Sequence, residues 1–147
     1  MEEYDLNPAM EIDFPAIREL IHSVQINPTG LDWRRFWVAR TKNGSIIGCG
    51  QVKPHGDEIL ELASIAVVPA WRQRGVASAI IWQLLAIYPG TLYLTCRSSL
   101  GKFYRRFGFE VVTTAEMPPY FRRISRLMNV VMKVGLAGES LLVMKRN

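Results

Sequence analysis

Arg72, Gln73, Arg74 and Gly75 form a short basic turn between two apolar segments. Before it, a β-branched run from Ile65 to Val68 ends at Pro69; after it, Val76 to Ile87 is almost wholly apolar and about three helical turns long. Strand, glycine-containing turn and buried helix together offer main-chain N–H groups to an anion. The first helical turn has N–H groups without intrahelical acceptors, and the macrodipole adds about half a positive charge there. A glycine lets a ligand come close to the backbone. Arg72 to Ala77 therefore reads as a pyrophosphate-binding turn. The other reactive side chains have simpler readings. Cys49 and Cys96 sit in strand-like surroundings and are expected as buried, reduced thiols rather than a disulfide or metal pair. His22 is expected near a helix end and His55 at an exposed loop tip, each solvated.

The elements that position the turn follow from periodicity. Asp13 is placed to cap a helix carrying Ile17, Leu20, Ile21 and Val24, with Pro15 in its first turn and Asn27, Pro28 and Gly30 after it. Phe36 to Arg40, Ile46 to Val52 and Ile59 to Val67 read as an antiparallel meander, turning at Asn43-Gly44 and at Pro54 to Asp57. Pro89-Gly90 stops the apolar helix. Thr91 to Thr95 is a strand that can lie parallel to the one ending near Val67, because a helix intervenes. Ser98 or Ser99 can cap a helix bearing Leu100, Phe103, Tyr104 and Phe107, with Gly108 closing it in a left-handed conformation before a strand from Phe109 to Thr113. Tyr120 to Val134 is an amphipathic helix, with Ile124, Leu127, Met128 and Val131 on one face and Arg122, Arg126, Asn129 and Lys133 on the other. Gly135 and Gly138 end it, and Leu141 to Lys145 closes the chain as a strand.

With 147 residues, 49% hydrophobic and 21% charged, the chain suits one globular domain, 1–147, with a single core. No run reaches the roughly 18 consecutive apolar residues of a membrane span, and no apolar segment follows the acidic first residues, so a cytoplasmic protein is expected. A net charge of +5 attracts anions, but a polyphosphate, nucleic acid or an acidic membrane would satisfy it equally. The arginines Arg105, Arg106, Arg122, Arg123 and Arg126 lack an interleaved aromatic stripe, so no nucleic-acid partner is expected. The basic helix from Tyr120 reads as packed on the sheet with a solvated charged face, so no membrane partner is expected either.

Two signatures in this order resemble one family. Arg72-Gln73-Arg74-Gly75-Val76-Ala77 is similar to the Arg/Gln-x-x-Gly-x-Gly/Ala turn of the GNAT superfamily of N-acetyltransferases. Phe103-Tyr104-Arg105-Arg106-Phe107-Gly108-Phe109 resembles that family's second signature, a helix bearing Tyr and closing with Gly-Phe. The resemblance covers Phe36 to Val112. It departs at Arg97, where the family often carries an Asn before the tyrosine; a guanidinium there either pairs with a phosphate or is a solvated charge.

The resemblance implies a mixed α/β GNAT-like fold, mostly antiparallel, with a splayed parallel strand pair holding the cofactor. It implies acetyl-CoA as donor and no metal. Diphosphate would take N–H groups from Gln73, Arg74, Gly75, Val76 and Ala77, with charge from Arg72 and Arg74; the pantetheine arm would lie along the main chain of Ile65, Ala66 and Val67. An amine must lose a proton before attacking a thioester, and a carboxylate is the usual helper. Glu61 is the preferred base, counted onto one strand face with Ala63, Ile65 and Val67, with Glu58 or a water as alternatives. A backbone N–H from Ile65 to Val67 would meet the oxyanion. Tyr104 matches the family's position for the acid that protonates the leaving thiolate. Cys96 has no histidine after it, so no acyl-enzyme is expected. The acceptor site would be built from Asn27 to Arg35 and Pro118 to Phe121, where Trp33, Trp37, Tyr120 and Phe121 wall a pocket or pack the core. A small amine or amino acid is favoured as acceptor. A protein N-terminus or lysine and a non-catalytic acyl-CoA-binding regulator are the alternatives, and a homodimer is left open.

Overall fold

A computed structural model describes residues 3–24, 26–135 and 138–147, with the backbone alone for 131–135. Expectations on residues 1–2 and on the side chains of Val131 and Lys133 lie outside the described residues. In chain order the elements are β1 (Tyr4–Pro8), α1 (Phe14–Ser23), β2 (Phe36–Thr41), β3 (Ile46–His55), β4 (Ile59–Val67), α2 (Val76–Ile87), β5 (Leu92–Arg97), α3 (Gly101–Arg105), β6 (Glu110–Val111), α4 (Pro119–Gly135) and β7 (Leu141–Arg146). The result is a mixed α/β fold on a seven-stranded sheet ordered β1-β2-β3-β4-β5-β7-β6. Pairing is mostly antiparallel, as at β1/β2, β2/β3, β5/β7 and β6/β7. The β4/β5 pair is parallel because α2 returns the chain to the same end of the sheet. It is registered at Glu61 opposite Tyr93, whereas β5 pairs with β7 over all 6 of its residues.

Contacts sort the chain into two compact units, Met1–Lys53 with Leu62–Pro89 and Pro54–Glu61 with Gly90–Asn147. In the first, Ile17, Leu20 and Ile21 of α1 pack with Phe36, Val38, Cys49 and Ala66. Helix α2 buries Val76, Ile80, Ile81, Leu84 and Leu85, and its near-continuous apolar sequence fits a buried element. It packs directly on β3 because two strand residues there have no side chain. A Cβ built at Gly48 would stand 2.9 Å from Val76 Cγ1, and one at Gly50 2.6 Å from Ile65 Cδ1 and 2.8 Å from Ile80 Cγ2.

Asp13 does not cap α1. Its carboxylate turns back to accept from the Met10 N–H at 2.8 Å and receives both terminal nitrogens of Arg40, at 3.1 and 2.8 Å. Arg40 binds bidentately and wins the carboxylate from the helix N–H groups. The Arg40 hydrogen bonds, more than the bond from Met10, hold the Asp13 carboxyl below its ordinary 3.8. A carboxylate with a depressed folded-state pKa contributes its stability above the unfolded value and loses it as pH falls through the folded one. Asp13→Asn is therefore expected to cost about 3 kcal/mol at pH 7, the low end for breaking a buried pair since Arg40 keeps some exposure. The gap to wild type should close below pH 4, which thermal melts across pH 2–7 will measure.

The second unit buries Tyr93, Val112, Met117, Phe121 and Val143. Here the expected α4 face is rotated. Leu127 is 65% exposed and Val130 64%. Asn129, expected on the solvent side, accepts from the Leu141 N–H at 2.8 Å and so anchors the start of β7. Phe121 rather than Leu127 anchors the buried face, and Asn129 follows it two turns on. The helix expected to begin at Ser98 or Ser99 is also shorter: a 3-10 turn over Ser98–Leu100, then five α-helical residues. Ser98 Oγ accepts from the Ser140 N–H at 3.2 Å instead of capping, and Leu100 is exposed. Gly108 does adopt a left-handed φ of 92°. The strand after it contracts to Glu110–Val111. Among the described residues no helix is long and apolar enough to cross a membrane.

Candidate functional site

In the first unit, β4 ends at Val67, and a 3-10 turn over Pro69–Trp71 leads into the basic turn. Gln73 has φ 62° and Gly75 φ 82°, two left-handed residues flanking Arg74. That alternation curls the backbone into a nest whose N–H groups converge. Among the described residues, no protein acceptor takes the N–H groups of Gln73, Arg74, Gly75, Val76, Ala77 or Ser78; the first bond into the helix is Ala79 N–H to Gly75 O at 3.0 Å. Arg72 to Gly75 are exposed, and a Cβ built at Gly75 meets nothing within 4 Å. The space in front of the turn is open to a ligand. The arginines have local work as well. Arg72 Nε donates to Val67 O at 3.2 Å, stiffening the joint between strand and turn, and the Arg74 guanidinium lies over Trp71 at 5.1 Å. Ile65 is partly buried, Ala66 and Val67 fully so.

In the second unit, Glu61 is only 6% exposed and bonds to His55 Nε2 at 2.7 Å. His55 is not at an exposed loop tip: β3 runs through it, the turn begins at Gly56, and its side chain is 15% exposed. Its imidazole stacks on Tyr120 at 3.9 Å and meets Phe121 edge-on at 5.6 Å. Burial, and then the Glu61 charge, raise the Tyr120 phenol above its ordinary value. The arrangement is a carboxylate–imidazole pair walled by aromatics, able to accept one proton and share it between two groups. Glu58, the alternative base, is in the exposed turn at φ 61°. The alternation expected along β4 also fails. Ser64 has φ 60°, and such a mid-strand irregularity shifts the parity of side chains, so counting by twos from Glu61 does not carry to Ile65 and Val67.

Tyr104 lies on α3 and packs against Phe103 and Phe109. Burial, and then the Cys96 thiol, push its phenol far above the usual value, so it holds its proton throughout the neutral range. Cys49 and Cys96 are free, buried thiols as expected, raised by burial to about 12 and about 11. Neither is a thiolate nucleophile at neutral pH. Arg97 is exposed. Of the aromatics in question, Tyr120 joins the Glu61 pair, Phe121 is core at 0% exposure, and Trp33 and Trp37 are partly buried.

Sequence reading missed His55 because a Pro-x-Gly-Asp stretch looks like a turn, whereas the strand persists through Pro54. It also missed Gln51 and Lys53, both buried on β3. A cavity of about 410 Å³ opens near the β2–β3 turn, lined by Thr41, Lys42, Ser45 and Trp71 among others, and holds none of the residues from Gln73 to Ala77.

Residues 32–111 match the family model described as an acetyltransferase (GNAT) domain. No curated protein matches the sequence. Among solved structures, N-acetylglutamate synthase from Neisseria gonorrhoeae complexed with coenzyme A and N-acetyl-glutamate superposes at TM-score 0.75 and 18% identity, covering 98% of this chain and 35% of that one. This chain thus spans about a third of the length of that enzyme. Rv2747 from Mycobacterium tuberculosis, in complex with CoA and NLQ, gives 0.70 at 21% identity over 95% of this chain and 97% of that one. A GNAT-family acetyltransferase from Staphylococcus aureus gives 0.71 at 14% identity over 99% of both. At these identities the structures establish the fold, and the domain match, which spans more than half of the sequence, establishes the family: the chain belongs to the GNAT acetyltransferases.

Proposed function

We propose that the protein is an acetyl-CoA-dependent N-acetyltransferase that moves an acetyl group directly to the primary amine of a small amine or amino acid. The observation that carries this is the row of acceptor-free N–H groups from Gln73 to Ser78 at the start of α2. In this reading those groups take the diphosphate of the donor, and Arg74 adds charge. Arg72, tied back to Val67 O, chiefly holds the turn in shape. The main chain of Ile65, Ala66 and Val67 pairs with the pantetheine arm. That solved structures of this fold hold CoA supports the donor, and that one holds N-acetyl-glutamate supports an amino acid as acceptor.

The chemistry divides among few groups. Glu61, with His55, takes the proton of the acceptor ammonium, because a nitrogen without a lone pair cannot attack. The amine nitrogen then bonds to the thioester carbonyl carbon, and an N–H of the Ile65–Val67 segment stabilises the oxyanion. When the tetrahedral carbon collapses, its C–S bond breaks and the sulfur leaves with the electron pair. The nitrogen, positive since it formed its bond, gives up one proton to leave a neutral acetamide, and the thiolate takes one up to become free thiol. The Tyr104 hydroxyl, protonated across the neutral range, donates a hydrogen bond to that sulfur as charge builds on it. The raised, protonated state of Cys96 favours direct transfer over an acyl-cysteine.

Release of free thiol from acetyl-CoA, followed across a panel of amines, amino acids and peptides, tests the reading; no release with any member would remove it. In the same assay Tyr104→Phe is expected to lower kcat by about 10- to 100-fold, the worth of a hydrogen bond to a charged group, with the acetyl-CoA Kd near wild type. An equal loss in Kd would instead make Tyr104 a packing residue.

A further inference from the structure

Three polar side chains on β3 and β4 of the first unit have no part in the chemistry above. Lys53 is 7% exposed, yet no carboxylate pairs with it among the described residues. Among the described residues its ammonium reaches only Thr29 O, at 3.5 Å, the outer limit of a hydrogen bond. Beside it Gln51 is fully buried. Its Nε2 donates to Ser64 Oγ at 2.9 Å and toward Gly30 O at 3.4 Å, while its Oε1 has no donor among the described residues. Ser64, held at φ 60°, accepts from Gln51 and keeps its own hydroxyl proton to give. The loop at Thr29 and Gly30 lies directly over the lysine: a Cβ built at Gly30 would stand 3.1 Å from both Lys53 Cδ and Nζ.

A lone cation in such a place is costly, and a methionine would fill the same volume without cost. An uncompensated ammonium against Gly30 and, on neighbouring Gln51, an orphaned amide oxygen with the Ser64 hydroxyl bonded to the same amide are complementary to a particular molecule. It must bring a carboxylate for Lys53 and Ser64 and an N–H for Gln51 Oε1. We propose that Lys53, Gln51 and Ser64 form a carboxylate-binding subsite for the acceptor, so that the substrate is an α-amino acid and not a simple amine. The carboxylate displaces Thr29 O from the ammonium, so that an ion pair replaces a stretched bond to an uncharged carbonyl. This rests on the acyl-transfer reading for its substrate, but the subsite can be tested without turnover.

Two measurements separate the ideas. In thiol release, L-leucine and L-glutamate are compared with L-leucinamide and with glutamic acid α-amide, for wild type, Lys53→Met and Lys53→Gln. Wild type is expected to favour the α-acids by at least about tenfold in kcat/KM, and both variants to bring that ratio close to one. Calorimetry on the CoA-loaded protein with N-acetyl-L-leucine and N-acetyl-L-glutamate supplies the readout without chemistry. Binding to wild type, weakened about 10- to 100-fold in both variants, supports the subsite even if no amine is turned over, a result that would remove the acyl-transfer reading alone. Equal use of acid and amide by wild type, or N-acetyl amino acid affinity indifferent to Lys53, would overturn the subsite and leave acyl transfer standing.

Discussion

Glu61→Gln is expected to lower kcat for acetyl transfer by about 10²- to 10⁴-fold, the usual worth of a positioned general base, while the acetyl-CoA Kd stays near wild type. The amide keeps the shape and one hydrogen-bonding oxygen, so His55 Nε2 can still donate at the present 2.7 Å. What is lost is the capacity to take a proton. Because Glu61 is buried, no bulk base replaces it at the same place. His55 holds that carboxylate in position, and Tyr120 holds His55 by stacking at 3.9 Å. His55→Gln should therefore fall between wild type and Glu61→Gln in kcat, because it loosens the carboxylate without removing it. Pre-steady-state release of thiol at saturating acceptor reads the chemical step directly. An unchanged rate constant in Glu61→Gln, with the fold intact by melting, would reduce the Glu61–His55 pair to a structural contact.

What the sequence makes legible divides along one line. Features set by local chemistry were legible: β4 over Ile59–Val67 and α2 over Val76–Ile87 have the expected limits, since Pro69, Gly75 and Pro89 punctuate them. Gly44 and Gly108 take left-handed backbone where a hairpin and a helix end required it. Features set by distant partners were not. Asp13 has the right type and place for a cap, but Arg40, on β2, outbids the helix for it. Strand β1 carries a polar Tyr-Asp-Leu-Asn-Pro sequence and exists because β2 offers it an edge. His55 looked like part of a turn, since nothing near it in sequence announces Glu61 across the hairpin as its partner. Ser64 carries no sign of its strained φ. For the candidate site, the strand–turn–helix shape around Gly75 was legible from its glycine and its neighbours. Lys53 was not, because a lysine in a strand reads as an edge charge until its burial is known.

Gly75→Glu should raise the Kd for CoA by about 100-fold or more at low ionic strength. Two effects are combined in it, and a second variant separates them. Any L-residue at φ 82° costs about 1–2 kcal/mol for a left-handed backbone, which weakens CoA to the extent that the free turn relaxes out of that shape, so Gly75→Ala measures that conformational part. A Cβ there meets nothing within 4 Å, so no clash with the fold is added. The remainder is electrostatic. A carboxylate beside the N–H groups of Gln73 to Ser78 competes for the same donors and repels a diphosphate, by an energy of roughly 1–4 kcal/mol per close charge pair near a surface. That share should shrink as salt is raised and the Debye length falls to about 8 Å at 0.15 M, while the Gly75→Ala effect should not. Pantetheine, which has the arm but no diphosphate, is the matching ligand: its affinity should be the same in Gly75→Glu as in Gly75→Ala. Calorimetry showing CoA bound equally well by Gly75→Glu and its parent would mean that the turn does not hold the diphosphate. A loss shared by pantetheine would instead place the fault in a disturbed β4, because only a change in the strand itself reaches the ligand that carries no charge.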